Sequence, residues 1–241
     1  MNDMTTNLPP LSLIGRLRSL LFTVIFYLGT AYFVLGAIAS FAFSQRLMRH
    51  FVKGWCRYQR WCARTILGLR LEIEGAPTGT PVLYAIKHES FFEAIDLPWL
   101  LTDPVVIAKQ ELLDLPFWGF AAKRYGMIGV SRDQGASALR NMMKQARAYA
   151  AEGRPLAIFP EGTRVAHGQA PALQSGFAGL YKMLGMTVIP VAVNSGPLYR
   201  GFWKRGGTIR YSFGDPIPPG LPRGEVEERV RVAINALNSK A

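Results

Sequence analysis

The sequence predicts an α/β domain, a largely parallel sheet flanked by helices, with a helical N-terminal segment ahead of it. Two observations carry this. After Gly68, short apolar runs alternate with stretches of helical periodicity, the pattern of strands covered by helices. Before Gly68, the chain is first uncharged over a long run and then patterned in cations at helical spacing. A length of 241 residues suits one large domain plus such a segment, and an apolar share of 49% permits a sizeable core. The boundary falls between residues 1–67, the N-terminal helices, and 68–241, the α/β domain.

The first element is the run Leu20–Phe43, 24 residues without a charge. As a helix it would be about 36 Å long, enough to cross a hydrocarbon core of roughly 30 Å. A cleaved signal peptide is the rival reading, because Ala37-Ile38-Ala39 resembles a cleavage site. The length of the run and the cations directly after it favour a retained membrane anchor. Gly29, Gly36 and Ser40 would permit the run to bend back as a hairpin. In the second element, Arg46, Arg49, Lys53, Arg57, Arg60 and Arg64 recur every three or four residues, opposite Met48, Phe51, Val52, Trp55, Tyr58, Cys62 and Ile66. That is an amphipathic helix for the plane of a membrane interface, its cations against anionic lipid headgroups. A helix packed on the soluble domain is the alternative.

Charge distribution agrees. The net charge is +12, and residues 1–70 hold nine Lys/Arg against Asp3 alone. Basic excess beside the most apolar segment points to an anionic membrane surface rather than to nucleic acid, which would need it on the globular part. The cations following the apolar run place the later domain on the cytoplasmic face of the inner (plasma) membrane. Cys56 and Cys62, six apart on a helix, cannot easily bridge and offer no convincing metal spacing with His50. They read as reduced thiols of a cytoplasmic compartment. No metal and no cofactor is expected.

In the remaining chain the predicted strands are 69–75, 81–87, 105–109, 126–131, 155–162, 187–195 and 208–217, and the helices 91–101, 116–124, 135–151, 174–185 and 224–238. Active sites of such folds gather beyond the carboxyl ends of the strands. Three charged stretches fall there: KHESFFE (87–93), GVSRD (129–133) and FPEGTR (159–164). Each has a plain reading. Ser90 and Glu93 stand in the S-x-x-E relation of a capping box, Arg132-Asp133 could be a solvated pair, and Glu161-Gly162-Thr163 a turn.

Together the three stretches resemble the conserved blocks of the glycerolipid acyltransferase family, specifically its lysophosphatidate (1-acylglycerol-3-phosphate) acyltransferases. The match comprises His88, Gly129–Arg132, Phe159–Arg164, the apolar block VIPVAV at 188–193 and the link AKQELLDLPFWG at 108–119, over roughly residues 70–220. One departure stands out: the family's aspartate five positions after the histidine is Glu93 here. The resemblance implies acyl transfer from a thioester, acyl-CoA or acyl carrier protein, to the hydroxyl of lysophosphatidic acid. His88 would be the general base and Glu93 its orienting carboxylate, with Asp96 the fallback. There is no G-x-S-x-G elbow, so direct transfer is expected. Arg164, Arg132 and Lys109 would hold the phosphate, Glu161 a substrate hydroxyl or an arginine, and the loop amides around Gly162 and Thr163 the thioester oxygen. Other acceptors, a lysophospholipid or lyso-ornithine lipid, and a non-catalytic lipid-binding module are the alternatives.

Overall fold

The computed structural model describes residues 9–78, 81–131 and 135–238. Helix α1 runs Leu13–Phe41, its start capped by the Ser12 side chain, which accepts from the Gly15 amide at 3.2 Å. Ala42–Ser44 turn the chain, and Ser44 caps α2, Gln45–Cys62, which widens into a π-helical turn at Ala63–Leu67. Then follow β1 (Leu69–Glu74), β2 (Leu83–Ile86), α3 (Phe91–Leu100), β3 (Val105–Lys109), the short α4 (Gln110–Leu113), α5 (Trp118–Tyr125) and β4 (Ile128–Val130). The chain continues with α6 (Gly135–Ala151), β5 (Leu156–Ile158), α7 (Ser175–Leu184), β6 (Val188–Val193), the short α8 (Gly196–Tyr199), β7 (Gly207–Phe213) and α9 (Arg223–Ile234).

The seven strands form one sheet in the order β1-β7-β6-β2-β5-β3-β4, parallel at every pairing except the antiparallel β6–β7. The parallel α/β expectation therefore holds. The stretch 208–217 breaks after Phe213, and Ile217 makes only an isolated bridge to Val188. β2 sits near the middle and is buried on both faces, which is why PVLYAIK reads as a continuous apolar run rather than an alternation. Its Tyr84 and Ile86 join one core layer with Phe22, Phe26, Phe92 and Leu97, and Leu83 and Ala85 join the other with Met142, Phe177 and Val230.

The N-terminal helices thus share a core with the sheet. Burying Phe22 and Phe26 is worth roughly 1.5–3 kcal/mol each, enough to seat α1 on the domain. α1 is unbroken, so its glycines do not make the bend; they receive rings from α2. A methyl group at Gly29 would collide with Tyr58, one at Gly36 with Phe51, and one at Gly54 would crowd Phe33. Tyr58 and Trp55 also bond across the hairpin, to the Ile25 carbonyl at 2.7 Å and to Thr30 Oγ1 at 2.9 Å.

The cations of α2 are not a uniform lipid-facing stripe. Arg49 and Lys53 reach Asp103, Arg57 lies over the Trp99 ring, and Arg60 grips Asp96 through two bonds of 2.6 and 2.7 Å. Helical spacing revealed a basic face, but the acids that meet it lie far along the chain. Cys56 and Cys62 are free; burial pushes the Cys56 thiol far up, keeping it protonated, and its Sγ donates to the Ile95 carbonyl. What faces outward is the other side of α1, where Leu13, Leu17, Leu20, Val24, Tyr27, Leu28 and Leu35 stand exposed in a helical stripe.

Candidate active site

β2 ends at Ile86, so Lys87–Ser90 emerge at the carboxyl edge near the middle of the sheet and lead straight into α3. Ser90 Oγ accepts from the Phe92 amide at 3.0 Å, and Glu93 Oε1 accepts from the Ser90 amide at 2.6 Å, completing the capping box. The same Oε1 accepts from the Glu89 amide at 2.6 Å and lies 3.0 Å from His88 Nδ1. Cap and histidine partner are one carboxylate. Its Oε2 accepts from Ser90 Oγ at 2.9 Å and from Ser195 Oγ at 2.6 Å.

Glu93 is wholly buried, and burial alone would raise its carboxyl; the bonds from His88, Ser195 and the Ser90 amide overcome that and hold it below the ordinary value. A carboxylate here assigns the His88 Nδ1 proton to the Glu93 bond and leaves Nε2 as the free basic nitrogen. The Phe159 ring stacks on the imidazole, centroids 4.1 Å apart, and fixes its plane.

Glu161 lies beneath this pair instead of facing outward. It is 2% exposed; Oε1 takes the Lys87 ammonium at 2.6 Å and Oε2 takes the His88 amide at 3.1 Å. Lys87 is completely buried and its Nζ also donates to the Gln169 carbonyl and to Asn235 Oδ1, both at 2.7 Å. The His88 carbonyl in turn accepts from Val165 N at 2.7 Å. The FPEGTR loop therefore clamps the histidine's backbone on both sides. Asp96, the fallback partner, is turned to Arg60 and closed off from that role.

Gly162 adopts φ +67°, which suits glycine, and its amide bonds the Phe159 carbonyl at 2.9 Å, so it is not an open donor for an oxyanion. Thr163 and Arg164 are exposed on the same loop, and the Arg164 guanidinium lies 4.2 Å over the Phe91 ring, at the first turn of α3. Lys204 is held below its ordinary value by burial and by the repulsion of Arg164. Lys109 ends β3 at the same sheet edge, two strands from β2 and in register with Val130. Arg132, which follows β4, lies outside the described residues.

Sequence reasoning missed Lys87, Ser195 and a second pair, His167 Nδ1 to Glu89 Oε1 at 2.9 Å, with the Gly196 amide on Glu89 Oε2 at 2.8 Å. Lys87 carried a signal, a lysine closing an otherwise apolar buried strand. The others depend on contacts between segments some 80 to 107 residues apart, where no local pattern exists.

A histidine backed by a buried carboxylate at the edge of a helix-covered parallel sheet, beside a loop with an exposed arginine, is an arrangement suited to general-base chemistry. The acyltransferase family profile matches residues 70–194, and the chain belongs to that family and is an O-acyltransferase. It is 31% identical over 230 residues to the 1-acyl-sn-glycerol-3-phosphate acyltransferase of Pseudomonas aeruginosa, covering 91% of this chain and 86% of that one. The mouse 1-acyl-sn-glycerol-3-phosphate acyltransferase alpha is 28% identical over 147 residues, covering 59% of this chain and 50% of the mouse protein. Among solved structures, the Thermotoga maritima 1-acyl-sn-glycerophosphate acyltransferase PlsC has the same fold, with a TM-score of 0.73 at 21% identity over 93% of this chain and 98% of that one.

Proposed function

We propose that the chain transfers an acyl group from a phosphopantetheine thioester, acyl-CoA or acyl carrier protein, to the sn-2 hydroxyl of 1-acyl-sn-glycerol-3-phosphate, forming phosphatidic acid. The observation that carries this reading is the His88–Glu93 pair, 3.0 Å apart, its carboxylate buried and bonded on both oxygens. His88 Nε2 takes the hydroxyl proton as the oxygen attacks the thioester carbonyl. The tetrahedral intermediate collapses, the C–S bond breaks, and the thiolate leaves with the proton from the imidazolium. Glu93 stabilises that imidazolium, while Glu161 acts as a positioning residue by accepting from the His88 amide and Lys87 by fixing Glu161. Arg164, with Arg132 and Lys109, receives the acceptor phosphate, since a guanidinium fork suits its oxygens.

Residues 1–67 serve as the membrane-anchoring part. The exposed apolar stripe of α1 dips into one leaflet, and Arg46, exposed on α2, and Arg64, exposed on the π-helical turn after it, meet anionic headgroups. The catalytic edge then faces the cytoplasmic leaflet, where the lysolipid arrives already embedded by its tail. The test is conversion of lysophosphatidic acid by the purified protein in lipid vesicles, with both thioesters offered in parallel. Product from wild type and none from His88→Ala supports the reading; product unchanged in that variant, or absent with a well-folded wild type, removes it.

A further inference from the structure

Beside the site a cleft of about 600 Å³ opens between the segment ahead of α1, the loop after β5 and the turn of α8. Arg16, His167, Arg200 and Arg205 line it together with Phe202 and Trp203, and none of its lining residues is acidic. Among the described residues, the Arg16 and Arg200 side chains have no polar partner, while Arg205 gives one Nη1 bond to the Pro9 carbonyl at 2.6 Å. His167 is fixed from behind by the buried Glu89, which leaves its Nε2 edge for the cleft. A wall with three guanidinium groups, an imidazole and no counter-charge is a receptor for an anion, and arginine forks match phosphate oxygens.

We propose that this cleft is a subsite for the phosphate of the acyl donor's phosphopantetheine arm. The assignment rests on the acyl-transfer reading above and adds the seat of the second substrate. Chemistry separates the two phosphates of that reaction. The acceptor's phosphate hangs on the carbon next to the one bearing the reacting hydroxyl, so its cation must stand close to His88. Arg164, over Phe91 in the turn that follows His88, answers that need. The cleft does not include His88 in its lining; it meets the site through Glu89, whose oxygens hold His167 and the Gly196 amide, and through Val165 and Ser195, the chain neighbours of its lining residues Ala166 and Gly196. A phosphate set apart from the reacting atoms is what the donor carries, because the pantetheine arm separates its phosphate from the thioester. Phe202 and Trp203, packed edge to face at 4.9 Å and both exposed, supply an apolar border for that arm.

The test compares wild type with Arg16→Gln/Arg200→Gln, both side chains being exposed and without a polar partner among the described residues. The donors are the acyl thioesters of 4′-phosphopantetheine and of pantetheine, which differ only in the phosphate. Loss of charge-assisted bonds should raise KM for the phosphorylated donor by about tenfold or more. The unphosphorylated donor and the lysolipid should keep their wild-type KM. A rise in the lysolipid KM, an equal rise with both donors, or no change overturns the assignment. Calorimetric titration with 4′-phosphopantetheine and with pantetheine reads the cleft without turnover. Binding of the phosphorylated compound alone, lost in the double variant, supports the subsite even were lysophosphatidic acid the wrong acceptor. Equal binding by wild type and variant removes it. Failure of the acyl-transfer reading shows separately, as no transfer by wild type with either donor.

Discussion

The chain holds two histidine–carboxylate pairs of nearly equal length, His88–Glu93 at 3.0 Å and His167–Glu89 at 2.9 Å, their carboxylates four residues apart and both fully buried. What separates them is everything around the pair. His88 has its amide on Glu161, its carbonyl on Val165 N and its ring against Phe159, while Glu93 collects bonds on both oxygens. His167 sits in the long loop between β5 and α7 and borders the arginine-lined cleft. A histidine beside a carboxylate is thus not enough to mark a base; immobilisation of the imidazole at the sheet edge is what distinguishes one pair from the other.

The comparison breaks most directly at the two imidazoles. His88→Ala should lower kcat/KM roughly a thousandfold, within the range for a lost general base, with an unchanged circular dichroism spectrum. A similar loss in His167→Ala with a phosphate-free donor would reverse the assignment of the two pairs. Glu93→Gln should cost about a hundredfold in kcat, and it should also lower stability, because an amide nitrogen cannot accept the bonds that Glu93 now takes. Glu93→Asp keeps an acceptor and should recover a good part of the rate. Asp96→Asn should spare kcat and instead loosen α2 from α3 by breaking the buried grip of Arg60, read as a lower Tm.

Beneath the pair, Lys87→Met leaves Glu161 buried without its cation, an imbalance worth about 3–5 kcal/mol in comparable buried pairs. The expected signature is a large drop in Tm with about tenfold lower kcat, since the His88 amide loses its fixed acceptor. Lys87→Met/Glu161→Gln removes both charges and should recover much of the Tm. If it recovers the full rate as well, the negative charge of Glu161 does nothing for His88.

How much of this could be read from the chain depends on the range of each interaction. Periodicity marked all seven strands and the five longer helices of the α/β region: burial on both faces writes β2 and β6 as unbroken apolar runs, while β1 and β7 alternate apolar with polar residues. The short α4 and α8 left no such trace. Both readings of Ser90 and Glu93 were legible, as cap and as partner, because three and five residues separate the groups involved. Glu161 was legible as part of a motif but not as buried, since Lys87 and Asn235 meet across 148 residues. The spacing displayed the cations and could not say that Asp96 and Asp103 await three of the six and Trp99 a fourth. Glycines read as bend points turned out to be sockets for aromatic rings, because what fills a gap in a helix surface belongs to another helix.

The smallest expected effect is the one that tests the charge state of Glu93 itself. Burial pushes its carboxyl up, and the bonds from His88, Ser195 and the Ser90 amide more than reverse this, so its folded value lies below the ordinary one. A carboxyl depressed on folding contributes stability that is fully present above its unfolded value and lost as the pH falls through the folded value. Glu93→Gln has no such proton to bind at this position. The Tm difference between wild type and Glu93→Gln should therefore be constant near neutral pH and shrink on acidification below the ordinary carboxylate range. A difference that grows on acidification would mean that Glu93 is protonated more readily in the folded chain than in the unfolded one. His88 would then have no carboxylate behind it, and the distinction between the two pairs would rest on Phe159 and Glu161 alone.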